Sequence, residues 1–127
     1  MPGIKHGKLL KCPNSPNCVS TSELSTSKKY VRPLPFSHSA FALKDIIRSY
    51  FRDQTAYTKV HEGEFYFHYE FRSKIFKFVD DVELLISPED QIIHIRSASR
   101  VGYWDLGANR RRVSHIRKDI QTKIAEL

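Results

Sequence analysis

Apolar residues recur at helical spacing in the segment that follows Ser37 and Ser39. Either serine suits the N-cap of a helix, because its hydroxyl accepts a hydrogen bond from a backbone N–H group of the first turn. The pattern predicts a helix that ends at about Arg52. Its apolar stripe consists of Phe41, Ile46 or Ile47, Tyr50 and Phe51.

The C-terminal part of the chain repeats the helical period and predicts a second helix from about Leu106 to Glu126, with Asp105 as its N-cap. At 100° per residue, its apolar stripe contains Leu106, Val113, Ile116, Ile120 and Ile124. Asn109 falls in this stripe, whereas Arg112 lies off to one side. Because a buried polar group without a partner costs about 1–3 kcal/mol, we expect Asn109 to be hydrogen-bonded.

Between the two predicted helices the period changes to two, which is typical of strands. Residues 55–61 and 65–71 alternate around Gly63 and predict a hairpin. One face of its second strand carries Phe65, Phe67, Tyr69 and Phe71. Residues 82–87 and 91–97 predict a second hairpin, which turns at residues 88–90. The connection between the hairpins fits either a short strand or a loop.

This element order predicts an α+β fold. We expect an antiparallel sheet of four or five strands, packed against an N-terminal-side helix and a long C-terminal helix. Residues 1–36 contain most of the prolines and no sustained period, which predicts an irregular arm with a short edge strand near Lys29–Arg32. Residues 37–127 then form the α+β domain.

Two cysteines, Cys12 and Cys18, lie in the predicted arm. Their spacing permits a disulfide that closes a tight loop, and it equally permits two free thiols. The segment before Cys12 lacks the apolar core of a signal peptide, so we expect a cytoplasmic protein, in which thiols stay reduced. A redox pair or a metal site is the less favoured alternative, because the spacing is not C-x-x-C and His6 alone does not complete a set of ligands.

The chain of 127 residues has a formal net charge of +7, and the basic residues are concentrated near the C-terminus. Seven Arg or Lys residues lie between Arg96 and Lys118, against the single acid Asp105. Such a segment is either a solvated helix face or a surface for anionic partners, including nucleic acid. No run of about 20 apolar residues predicts a membrane span. The glycine pattern matches neither a P-loop nor a dinucleotide fingerprint.

Three stretches are distinctive: CPNSPNCVS at residues 12–20, FVDDVE at residues 78–83 and SASRVGYWDLGANRRRV at residues 97–113. Together they resemble the domain-of-unknown-function family numbered 1499, which is found mainly in bacteria. The resemblance spans nearly the whole chain but implies no activity. The positions that match the family motifs are Cys12, Cys18, Asp80, Asp81, Glu83, Arg96, Ser97, Ser99, Arg100, Gly102, Asp105, Gly107, Asn109 and Arg110.

The arginine-rich turn before the C-terminal helix has the ingredients of an anion site, because guanidinium groups lie near the N–H groups of a helix N-terminus. In this hypothesis the arginines supply charge, the serines and the backbone of Gly107 donate hydrogen bonds, and Asp105 and Asn109 hold the scaffold. The predicted binding residues are Arg96, Ser97, Ser99, Arg100, Asp105, Gly107, Asn109 and Arg110. In the structural alternative, the arginines form an ionic bracket with Asp80, Asp81, Glu83 and Asp105.

We therefore expect a small binding domain that captures an anionic small molecule or an acidic partner surface near the turn at residues 96–112. The alternatives are a structural or protein-interaction module without a ligand, and a nucleic-acid binder that uses the basic C-terminal helix. No catalytic residue, metal site or cofactor is predicted, because the histidines and carboxylates show no spacing typical of one. An enzyme is therefore the less favoured class.

Overall fold

The computed structural model describes residues 2–73 and 78–127 and has an α+β fold. Two helices pack against a mostly antiparallel sheet, and a separate two-stranded ribbon lies near the N-terminus. The elements are β1 (Ile4–Lys5), β2 (Lys8–Leu9), β3 (Cys18–Ser20), β4 (Leu34–Pro35), α1 (Ala40–Arg52), β5 (Tyr57–Glu62), β6 (Tyr66–Arg72), β7 (Val79–Ser87), β8 (Ile92–Ser99) and α2 (Ala108–Ala125). No helix in the described ranges is long and apolar enough to cross a membrane.

The main sheet has six strands, more than the sequence predicts. Its order is β3-β8-β7-β6-β5, and β4 pairs with the same edge of β8 as β3 does. Both predicted hairpins are confirmed, as β5 with β6 and β7 with β8. The two additional strands come from the N-terminal arm. They are two and three residues long, too short for an alternating pattern to reveal them.

The first predicted helix is confirmed as α1. Ser39 is its N-cap, and its hydroxyl accepts a hydrogen bond from the backbone N–H of Ala42 at 3.2 Å. The buried face carries Leu43, Ile46, Ile47, Tyr50 and Phe51. Phe41 was placed in the apolar stripe, but its side chain is exposed. It lies on the solvent side of the first turn of α1, whereas Ala40 and Ala42 beside it pack against the core.

The second helix, α2, begins later than predicted. Its N-cap is Gly107, and both Leu106 and Gly107 have a left-handed backbone, with φ of 53° and 78°. Leu106 therefore lies outside the helix with 87% of its surface exposed, and its assignment to the buried stripe was wrong. Asp105 precedes the N-cap, but its carboxylate still accepts hydrogen bonds from the backbone N–H groups of Gly107 and Asn109.

The two faces of the sheet differ in chemistry. The face toward α1 and α2 forms the hydrophobic core, with side chains such as Phe67, Tyr69, Leu84 and Ile95 fully or almost fully buried. Phe65 precedes β6 and is partly exposed, so it does not join the predicted apolar row. The opposite face carries charged side chains from β6, β7 and β8, and the N-terminal arm lies against it. Part of the connection left open between the hairpins, residues 74–77, lies outside the described residues.

Candidate ligand-binding site

Glu83 is the most deeply buried charge on the polar face of the sheet. It lies on β7, in register with His68 of β6 and Arg96 of β8. Its carboxylate accepts hydrogen bonds from Arg96 Nη1 at 3.2 Å and from Tyr66 Oη at 2.5 Å. The backbone N–H of Gly3 donates a third, at 2.7 Å. Three donors therefore compensate the desolvation of this carboxylate.

Asp81 forms a second ion pair on the same face. Its carboxylate accepts hydrogen bonds from Arg100 Nη2 at 2.6 Å and from His68 Nε2 at 2.8 Å. Burial raises the pKa of Asp81, but the hydrogen bonds from His68 and Arg100 outweigh burial and bring this pKa down from 3.8 to about 2. Arg100 also pairs with Glu70 at 2.8 Å, and these two carboxylates raise the pKa of its guanidinium.

Arg96 is almost fully buried, yet its guanidinium is incompletely paired. Nη1 donates to Glu83 and Nη2 to the backbone oxygen of Lys11, at 3.4 Å. Its Nε is buried and has no hydrogen-bond partner among the described residues. Arg96 lies in the wall of a pocket of about 380 Å³ between the N-terminal arm and the end of β8, which we call the arm pocket. The arm pocket is lined by Pro2, Pro13, Ser15, Asn17, Asp81, Arg96, Ala98, Ser99, Arg100 and Gly102.

Asn109 is fully buried on the other face of the sheet and has partners for both ends of its amide. Its Nδ2 donates to the backbone oxygen of Asn17, to Ser99 Oγ and to Asp105 Oδ2, at 2.8 to 3.1 Å. Its Oδ1 accepts from Ser97 Oγ at 2.7 Å, so the hydrogen bonds expected for this residue are present. Asp105 has a pKa below its usual value, because hydrogen bonds from Asn109 and the Gly107 N–H outweigh the effect of burial.

Arg112 completes this second network, although it is not among the predicted binding residues. Its Nη1 lies 2.8 Å from Asp80 Oδ2 and 2.8 Å from Asn109 Oδ1, and its guanidinium stacks over the ring of Phe71. Helical projection placed Arg112 beside the apolar stripe, where an arginine is usually solvated. The register of Asp80 opposite Ser99 brings the carboxylate under the first turn of α2, and only the packed sheet shows this.

The remaining predicted cation, Arg110, makes no ion pair with a described carboxylate. Its guanidinium donates to the backbone oxygens of Lys28 and Tyr30. The bracket between arginines and carboxylates is therefore present for Arg96 and Arg100 but not for Arg110. The predicted binding residues are also divided between the two faces of the sheet, since Arg96 and Arg100 lie on the arm side, whereas Ser97 and Asn109 lie on the helix side.

The two cysteines are bonded to each other. Cys12 Sγ and Cys18 Sγ lie 2.07 Å apart, and the disulfide closes the loop that carries Asn17. Asn17 Nδ2 donates to the backbone oxygen of Gly102 at 2.6 Å, so the closed loop is joined to the turn after β8. No group of three or more His, Cys, Asp or Glu side chains suited to a metal ion occurs within residues 2–73 and 78–127.

A second cavity, a groove of about 520 Å³, lies on the helix side of the same turn. Its floor contains the Asp80–Arg112 pair and Ser99, and one wall consists of Val101, Trp104 and Leu106. Most of its lining is apolar. The turn at residues 100–107 therefore separates a charged pocket on the arm side from an apolar groove on the helix side.

The chain was compared with known proteins and families. A family model described as "Protein of unknown function (DUF1499)" matches residues 8–120. No curated protein and no solved structure matches the chain. The matching family has no described activity, so a function can be inferred only from the chemistry of the two pockets.

Proposed function

The chain belongs to this family of proteins of unknown function, and we propose that it binds a small anion, a phosphate or a carboxylate group, in the arm pocket. The observation that carries the proposal is the buried Nε of Arg96, which has no partner among the described residues. A buried charged donor left unpaired costs at least about 1–3 kcal/mol. Arg96 lines the arm pocket, and an anionic oxygen that reached Nε from there would provide the missing acceptor.

Arg100 supports the proposal from the exposed side of the pocket. Its side chain is 45% exposed and donates through Nε and Nη2 to Asp81 and Glu70. These contacts orient the guanidinium plane while Nη1 makes no hydrogen bond with a described residue. A guanidinium that is already oriented loses little entropy when it binds a second anion.

The lining of the arm pocket contains more cations than anions. Arg96 and Arg100 contribute two guanidinium groups, against the single carboxylate of Asp81, whereas Glu83 and Glu70, which pair with these arginines, lie outside the lining. Asp81 already accepts charge-assisted hydrogen bonds from Arg100 and His68, so its repulsion of a ligand is reduced.

An NMR titration of the folded protein with inorganic phosphate and with succinate tests this function. We expect saturable shifts of the Arg96 and Arg100 Nε–H signals and of the backbone amides of Asn17 and Ala98. Arg100→Gln should weaken binding about tenfold, the value of one charge-assisted hydrogen bond. Arg111→Gln, on the exposed side of α2, is the matched control and should bind as the wild type does.

Two results would refute the proposal. One is the absence of saturable shifts at these signals with either anion, and the other is an equal response of Arg100→Gln and the wild type. Arg96→Gln is unsuitable as the main variant, because it leaves the buried Glu83 without its cation and destabilises the fold. The carboxylate of an acidic protein partner has the same chemistry as succinate, so the titration also covers that form of the proposal.

The basic helix supports the nucleic-acid alternative less well. Arg111 donates to the backbone oxygen of Leu106 at 2.7 Å, and Arg117 donates to that of Pro33 at 3.4 Å. These contacts hold the exposed Arg111 and the partly buried Arg117 against the protein. A short RNA added in the same titration would test the alternative, with salt-sensitive shifts along residues 111–118 as its signature.

The proposal also concerns the cellular compartment in which the protein acts. The sequence pattern favours the cytoplasm, whereas the disulfide between Cys12 and Cys18 is typical of an oxidising compartment. Because the disulfide positions the Asn17 loop beside the arm pocket, we propose that the protein acts where this bond persists. Trapping the thiols in intact cells with a maleimide reagent tests this: an unmodified protein supports it, and modification of both cysteines contradicts it.

A further inference from the structure

Large apolar side chains are concentrated in one exposed turn between β8 and α2. Val101, Tyr103, Trp104 and Leu106 are 57–87% exposed and lie within six consecutive residues, which we call the apolar turn (residues 101–106). Tyr103 and Trp104 pack edge to face, with ring centroids 5.1 Å apart. Phe78 lines the same groove as Trp104 and Leu106, whereas other exposed apolar residues of the described chain, such as Phe41 and Leu24, lie on separate elements.

The backbone of the apolar turn holds Leu106 in solvent at a conformational cost. Its φ of 53° lies in the left-handed region, which leucine rarely adopts and which glycine or asparagine adopts more readily. The turn is held at both ends, because Asn17 Nδ2 donates to the Gly102 oxygen and Asp105 accepts from the Gly107 N–H. A leucine exposed by an unfavourable but well-anchored backbone indicates that its side chain has a use outside this chain.

Positive charge lies directly beside these apolar side chains. Arg111 Nη1 donates to the backbone oxygen of Leu106 at 2.7 Å, so its guanidinium is held at the base of the turn. The whole chain has a net charge of +7. Basic groups of this kind are attracted to anionic lipid headgroups by about 1 kcal/mol each, which corresponds to about fivefold in affinity.

We propose that the apolar turn docks on the surface of an anionic lipid bilayer. Tryptophan and tyrosine are the residues that prefer the interface between headgroups and acyl chains, and an adjacent leucine and valine can enter the apolar region. A stable protein–protein interface needs about 20–30 residues on each side, many more than the six residues of the turn. A lipid surface has no such requirement, since a short apolar turn with cations beside it is sufficient for reversible attachment.

The fluorescence of Trp104 reports directly on this contact, because it is the only tryptophan in the chain. We expect its emission to shift to shorter wavelength with vesicles of phosphatidylcholine and phosphatidylglycerol, and to shift much less with phosphatidylcholine alone. Leu106→Ser should lower the partition coefficient about tenfold, as expected for loss of one buried leucine side chain. Phe41→Ser is the matched control, because Phe41 is 72% exposed on α1, and it should partition as the wild type does.

Three outcomes would overturn the proposal. The first is Trp104 emission that stays unchanged up to the highest concentration of anionic vesicles, which would instead favour a protein partner for the turn. The second is an equal loss of partitioning in Phe41→Ser and Leu106→Ser, which would show non-specific adsorption. The third is the same emission shift with inorganic phosphate alone, because phosphate would then act through the arm pocket and not through the bilayer.

Discussion

At the scale of single residues, Asn109 is one of the polar side chains that join α2 to the sheet. Its amide contacts the arm through Asn17, strand β8 through Ser97 and Ser99, and the turn through Asp105. A hydrophobic residue in this position of the stripe would bury as much surface but would leave these partners unpaired. Asparagine here specifies the position of the helix relative to the strand end.

Replacing this side chain tests that role. Asn109→Ala should lower the free energy of unfolding by about 2–3 kcal/mol, because it removes several buried hydrogen bonds and leaves their partners without replacements. Urea denaturation followed by circular dichroism measures the change. Lys118→Ala, on the exposed side of the same helix, should change it by less than about 0.5 kcal/mol. Equal effects of the two substitutions would contradict the role given to Asn109.

Asp81 makes the stability depend on acidic pH. Its pKa is about 2 in the folded protein and 3.8 when unperturbed, so below pH 3.8 the unfolded chain takes up a proton that the folded chain does not. The stabilisation is therefore complete above pH 3.8 and is lost as the pH falls toward 2. Between pH 5 and pH 2.5, the urea concentration at the midpoint of unfolding should decrease more for the wild type than for Asp81→Asn. Parallel decreases in the two proteins would show that Asp81 does not contribute to this dependence.

At the scale of elements, the start of α2 depends on a left-handed glycine. Gly107 has a φ of 78°, and a Cβ added to it would lie 3.1 Å from Arg111 Nη1. Gly107→Ala should therefore destabilise the protein by about 1–2 kcal/mol, the usual cost of a left-handed backbone in a residue with a Cβ. Thermal unfolding monitored at 222 nm would detect the change. A neutral result would mean that the turn can adopt a different backbone at little cost.

The disulfide also acts at the scale of elements, because it holds the N-terminal arm against the end of β8. Cys12 and Cys18 are six residues apart, and closing a loop of this size stabilises the folded chain by about 2 kcal/mol. Cys12→Ser/Cys18→Ser should lose this amount and should weaken anion binding in the arm pocket. A reductant should reproduce the effect in the wild type and have no effect on the double variant. If stability is unaffected by the double substitution, hydrogen bonds alone order the arm.

At the scale of the whole molecule, stability is distributed from the middle of the sheet outward. Strands β7 and β8 have neighbours on both edges, whereas the ribbon of β1 and β2 is a small separate pair. Hydrogen exchange should therefore be slowest for the amides of β7 and β8, at rates set by global unfolding, and fastest for residues 2–9. Mass spectrometry of peptides after exchange measures the order. Protection of the ribbon equal to that of β7 would show that the arm and the sheet unfold as one unit.

Local patterns in the sequence determined much of the architecture. Several predictions depended only on neighbouring residues: the helical period and the N-cap serine of α1, the alternation around Gly63, and the apolar strand pattern that ends at Ser87. Each of these elements forms as its pattern predicts. Asn109 could also be identified in advance, because a polar residue in an apolar stripe needs partners wherever it lies. The motifs of the family can likewise be recognised from the order of the residues alone.

Tertiary packing alone decided how the polar residues are grouped. Arg96 and Ser97 are neighbours in the chain, yet β alternation sends them to opposite faces, so the predicted binding residues divide between two networks. Arg112 meets Asp80 because of strand register, and Leu106 leaves its stripe because two left-handed residues delay the helix. The pairings of Arg112 with Asp80 and of Arg96 with Glu83 depend on contacts between distant segments, which no local period encodes. Local periodicity therefore determined the elements of this protein, and long-range packing determined its pockets.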